Sequence, residues 1–176
     1  MFFFNWRRLN PEQAYPGYEV IQPQFLKYFR RYVEFLDSHN VALSGQQSHE
    51  LTYVNIIPRG KGWETLYDIG NILPDLSWRS DARQHLPSPK GLAWQCIFDV
   101  SMSCSGKSDL FVNLQTAQTT PEGAPILRLE FTVRRADAAS EEVEMVAWFD
   151  KAHEIISETF LNFTGKDTQN TYWKMT

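Results

Sequence analysis

The sequence predicts an α+β domain. It would have an antiparallel sheet of about four to five strands packed by two amphipathic helices, the second long and C-terminal. Three observations carry this. Apolar residues recur every three or four positions over 25–36 and again over 145–163, which is the helical period. They alternate over 92–100, 110–118 and 127–135, which is the strand period. The links between those three segments are short and contain Gly106 and Gly123, so they suit hairpins and antiparallel pairing. A chain of 176 residues fits one domain, 1–176, and needs no disulfide or metal staple.

Taken in order, the first segment is Phe2 to Arg8 in MFFFNWRRLN. Its aromatics favour a strand over 1–9, and Asn10-Pro11 ends it. Phe2, Phe4 and Trp6 lie on one side of that strand, Phe3 and Asn5 on the other. A helix follows, with Phe25, Phe29, Tyr32 and Leu36 as its stripe, Pro23 in its first turn and Asn40 just past its end. HELTYVNIIP, 49–58, is a strand. Leu51, Tyr53, Asn55 and Ile57 share one face, and Thr52, Val54 and Ile56 share the other. Both faces are largely apolar, so the strand is expected at the centre of its sheet. Residues 63–73 hold a short helix ending before Pro74, and 78–91 form a loop.

In the next three strands Leu92, Trp94, Cys96, Phe98 and Val100 form one alternating set, and Leu110, Val112 and Leu114 another. In the third, Leu127, Leu129, Phe131 and Val133 face in, while Arg128, Glu130, Thr132 and Arg134 face out. The last helix runs from about 140 to 164. Ser140 is its N-cap, Gly165 its stop, and Met145, Phe149, Ala152, Ile156, Phe160 and Phe163 its buried stripe.

Composition excludes several function classes. A net charge of −4 argues against a generally basic nucleic-acid binder. Arg7, Arg8, Lys27, Arg30 and Arg31, near Tyr28 and Tyr32, make a local basic and aromatic patch, but those tyrosines also belong to the helix, so nucleic acid is disfavoured. The two cysteines, Cys96 and Cys104, make no disulfide framework and point to a reducing cytoplasmic setting. No apolar run reaches the length of a membrane span, and the opening phenylalanines do not form a signal peptide.

Several strings imitate active sites. SCSGKS, 103–108, ends like a phosphate-binding loop, but Ser101 stands where that loop needs its first glycine, and a strand follows where a helix is required. HEIIS, 153–157, begins like a zincin helix but puts Ser157 in place of the second histidine. Cysteine and histidine spacings match no metal site, so neither metal nor cofactor is expected. Asp150, Glu154 and Glu158 repeat along a solvated helix face. No catalytic residue is assigned. His153 is either a hydrogen-bonded boundary histidine or a general base. Asn55 either braces a loop or lines a pocket.

Taken together, Asn5-Trp6-Arg7-Arg8, Tyr15-Pro16, Tyr18-Glu19, the aromatic helix, Leu51-Thr52-Tyr53-Val54-Asn55, His153-Glu154-Ile155-Ile156 with Phe160 and Thr164, and Trp173 resemble a sporadically distributed, uncharacterised bacterial family. The resemblance spans nearly the whole chain. Members of that family carry a block before the Asn-Trp-Arg segment, and the resemblance implies that this chain lacks it. It implies a bacterial origin and no mechanism.

The expected function is a non-catalytic binding or protein-interaction module, with a protein partner or a homodimer. Its interface is expected at Phe2, Phe4, Trp6, Arg7 and Arg8, where a strand opening the chain leaves apolar area and one backbone edge uncovered. The first alternative is an apolar small-molecule binder with a pocket between the C-terminal helix and the sheet, touched by Tyr53, Asn55, Trp94, Phe98, Phe131, Phe149 and His153. The second is an enzyme with a site around His153.

Overall fold

The computed structural model describes residues 1–10, 12–42, 47–77, 89–102, 106–118, 123–138 and 141–173. Most of the expected 78–91 loop, the hairpin tip with Cys104, and the Ser140 cap lie outside the described residues. The chain forms two compact units, Met1–Gln46 and Gln47–Thr176.

The first unit is an extended segment on one helix. Residues 1–9 have no sheet partner among the described residues, so the expected first strand is extended chain without a ladder. Its side chains explain the difference, because they meet rings rather than a neighbouring backbone. Phe2 lies against Phe25, Phe29 and Tyr32 at centroid separations of 5.9, 5.6 and 5.3 Å. Phe4 stacks on Tyr28 at 5.7 Å, and Trp6 meets Tyr15 edge-on at 5.2 Å.

Helix α1, Tyr18–Ser38, carries most of those rings. It begins a turn earlier than Pro23 suggested, so the proline sits inside it. Its end is as expected. Asn40 takes a left-handed φ of 56°, which asparagine tolerates better than most residues. The amides of Asn40 and Val41 then donate back to the carbonyls of Asp37 and Leu36.

The second unit holds the sheet. Strands β1, Gln47–Pro58, β2, Ala93–Met102, β3, Gly106–Gln118, and β4, Pro125–Ala138, are all antiparallel and stand in the order β1-β4-β3-β2. β1 is therefore an edge strand, not the central strand its two apolar faces suggested. On its outward face Val54 and Ile56 remain about half exposed. The rest of that face mixes polar pairs with Phe111 of β3 and the half-exposed Ile97 of β2. Thr52 and Thr132 share a 2.9 Å hydrogen bond, Arg134 donates to Glu50 at 2.8 Å and lies over the Phe111 ring, and Arg128 pairs with Glu130.

The inner face is apolar and carries the core. Leu51, Val133, Leu110 and Phe98 are register partners across the sheet, as are Tyr53, Phe131, Val112 and Cys96. Helix α3, Glu142–Phe163, covers this face with Met145, Trp148, Ala152 and Ile156 buried. The predicted stripe put Phe149 where Trp148 stands. Both positions fit the period between Met145 and Ala152. Trp148 takes the centre because its indole N–H finds a buried acceptor, the Ser108 hydroxyl, at 3.2 Å.

Two short connections complete the unit. Between β1 and β2 lie a 3-10 turn, Leu66–Asp68, helix α2, Ile69–Ile72, and a second 3-10 turn, Pro74–Leu76. After α3 the chain does not simply stop at Gly165. It continues through α4, Lys166–Thr168, into a π-helical turn, Gln169–Trp173. Gly165 donates its amide to Ile72, Thr168 donates its hydroxyl to Asn71 at 2.7 Å, and Trp173 stacks on Phe160 at 5.5 Å. Among the described residues no helix is long and apolar enough to cross a membrane.

Candidate functional site

Among the described residues of the second unit, the border of β1 and α3 gathers several chemistry-bearing side chains. β1 is an edge strand, so its inner-face residues at this border reach the end of the core layer. Alternation points His49, Leu51, Tyr53, Asn55 and Ile57 to the inner face. Turns of α3 bring Phe149, His153 and Ser157 to the same border.

Tyr53 and His153 meet there. The phenol and imidazole Nδ1 share a 2.7 Å hydrogen bond, and Ser157 Oγ lies 3.4 Å from the same nitrogen. The serine that replaces a second zincin histidine is thus a neighbour of His153, one turn along the helix. A phenol–imidazole pair can pass a proton. Among the described residues no group of three or more histidine, cysteine or carboxylate side chains is placed to hold a metal.

Further along β1, His49 is buried against α3. Its ring lies 5.4 Å from that of Trp148 and stacks on Phe149 at 5.6 Å. Burial, and then the Arg135 guanidinium, hold its pKa down at about 4, so the imidazole is neutral near pH 7. Neither His49 nor Arg135 was selected from the sequence. His49 opens its strand, where alternation is hardest to read. Alternation along β4 carries the inward set on from Val133 to Arg135, but an arginine does not read as a core residue.

The residues expected to line a ligand pocket do not converge. Tyr53 and His153 are together, and Phe149 sits next to His49. Phe131 is fully buried in the core, edge-on to Phe160. Trp94 shares a register row with Asn55, but Leu129 and Leu114 stand between them. Phe98 is on the opposite edge strand and meets Phe163 at 5.6 Å. Rings and aliphatic side chains fill the helix–sheet layer where the pocket was expected. An open depression of about 570 Å³ lies elsewhere, lined by residues that include Asn71, Pro74, Lys166 and Tyr172.

Two other sequence features find their places. Gly106-Lys107-Ser108 begins a strand, as expected, and Ser108 serves Trp148 rather than a phosphate. Cys96 is a free, half-buried thiol on β2. The five residues expected at an interface belong to the first unit. Phe2, Phe4 and Trp6 turn to rings of that unit, and Phe3, on the other side of the segment, is 77% exposed. Arg7 and Arg8 are exposed, with Arg8 Nε donating to the Gln13 carbonyl at 2.7 Å.

The second unit is thus an α+β layer pair, four antiparallel strands under one long helix, with a small polar seam at one border. No protein-family model, curated protein or solved structure matches the chain.

Proposed function

We propose that the chain is a non-catalytic protein-interaction module whose first unit is the docking element, and that the simplest partner is a second copy. One observation carries this. Within residues 1–46, Leu36 is the only buried apolar residue among those described, while Phe3, Leu9, Tyr28 and Phe35 are 77, 75, 46 and 57% exposed. An apolar surface of that kind on so small a unit marks a surface made to be covered. A two-fold axis lets one patch cover itself. The resemblance of Asn5-Trp6-Arg7-Arg8 and the strand of Tyr53 and Asn55 to a bacterial family, with two cysteines in the whole chain, supports a bacterial, cytoplasmic setting.

Light scattering coupled to size exclusion tests the reading. The wild-type chain is expected to elute as a dimer, or with a bound protein from its host. A Phe3→Ser, Phe35→Ser variant, which leaves the ring contacts of Phe2 and Phe4 in place, is expected to be a monomer. A wild-type chain that is monomeric at micromolar concentration and emerges from its host alone refutes the proposal.

A further inference from the structure

Among the described residues, two buried side-chain nitrogen atoms of the second unit have no hydrogen-bond partner: His49 Nδ1 and Arg135 Nη1. They are not scattered. His49 and Arg135 are register partners on β1 and β4. His49 is only 8% exposed, and the guanidinium is near enough to depress the imidazole's basicity. Buried polar groups are almost always partnered, and a side-by-side pair left open calls for an occupant. The occupant's chemistry follows from the donors. Arginine cannot shed its proton and has no acceptor, so Nη1 requires an acceptor atom. Neutral histidine can offer Nδ1–H alongside it. Trp148 and Phe149, packed on the imidazole, hold that ring in place.

We propose that His49 and Arg135 form a binding site for a small monocarboxylate, with carboxylate oxygens accepting from Arg135 Nη1 and His49 Nδ1. Charge selects the class. The fixed charge at the pair is the Arg135 guanidinium, which calls for an anion, and a monocarboxylate matches that one charge. Burial selects the size. With His49 nearly enclosed, only a free small molecule, and no segment of a partner chain, reaches both nitrogens. The proposal is independent of the docking role of the first unit.

The test is nuclear magnetic resonance of the full chain, following the His49 ring and Arg135 guanidinium signals. Sodium formate and sodium acetate are titrated in at constant ionic strength, balanced with sodium chloride. Saturable shifts confined to these two residues and their ring neighbours are expected. Arg135→Gln is expected to weaken binding by at least about tenfold, as loss of a charge-assisted hydrogen bond does. If that variant does not fold, His49→Phe keeps a ring against Trp148 and Phe149, removes Nδ1, and is also expected to weaken binding. Signals that do not saturate, that respond equally to chloride, or that keep their affinity in the folded variants overturn the proposal and leave the pair bridged by water.

Discussion

His49 should make the fold acid-sensitive through one side chain. The imidazole is neutral in the folded chain down to about pH 4, whereas an unfolded histidine has its ordinary value of 6.5. Between those values the unfolded chain binds a proton that the folded chain does not, so stability falls as pH falls. Above 6.5 the group is neutral in both states and the term is flat. Below about 4 it is protonated in both states, and the loss is complete. A separation of this size is worth about 3 kcal/mol, a large share of the roughly 5–15 kcal/mol that holds a domain. Urea unfolding across this range, comparing wild type with His49→Leu, isolates the term, because the two proteins differ only at this side chain. Leucine adds a constant offset but no proton. The wild-type curve should approach or fall below the variant's as pH drops, by about 3 kcal/mol in total. Two profiles that stay parallel would mean that His49 is hydrated, and the burial argument would fail.

Three further outcomes follow from packing. Trp148→Ala should cost about 3–5 kcal/mol by chemical denaturation, because it empties the centre of the core and strands the Ser108 hydroxyl. Tyr53→Phe should cost only about 1 kcal/mol, the net worth of its hydrogen bond to His153, with the circular dichroism spectrum unchanged. Gly165→Ala should destabilise by about 1–3 kcal/mol, since a Cβ there would lie 2.3 Å from the Asn71 carbonyl oxygen. Protease cleavage should rise first in the tail beyond residue 165 in that variant, and an unchanged digestion pattern counts against the docking described for α4.

The sheet and its long helix were legible because period-2 and period-3.6 patterns report which face meets the core, and both patterns here are long. Strand order was not legible. Val54 and Ile56 read as core, yet they stand on the open face of an edge strand. Alternation tells which residues share a face and not which face is covered. One position of the α3 stripe was read wrongly, Phe149 for Trp148, because both satisfy the same spacing. The extra turns after Gly165 were missed because they rest on long-range bonds, such as Thr168 to the Asn71 carbonyl. For the same reason only half of the polar seam could be read. Tyr53 and His153 drew notice as residue types, but His49 and Arg135 are partners only through the register of β1 with β4.

The two units use their aromatic residues for different ends. In the second unit Trp148 and Phe131 are removed from water entirely, and ring packing there is core packing. In the first unit the rings pair in the open. α1 has Pro23 inside it and lies on a segment with no sheet of its own. A proline within a helix removes one hydrogen bond and crowds the carbonyl four residues earlier. In proteins most of a helix's stability comes from packing of its apolar face. The pairs Phe2–Tyr32 and Phe4–Tyr28 tie the extended segment to the helix, each adding about 0.5–1.5 kcal/mol beyond area burial, while Phe25–Phe29 stacks within the helix itself. Those pairs use one side of the segment. They leave Phe3 and Leu9, and on the helix Phe35 and much of Tyr28, facing water. A helix that needs its neighbours for stability, and that still presents large apolar side chains once those neighbours are in place, gains further stability from whatever covers them. If the first unit docks a partner as proposed, binding and the ordering of this unit would be coupled, and affinity would rise with how well α1 is already formed.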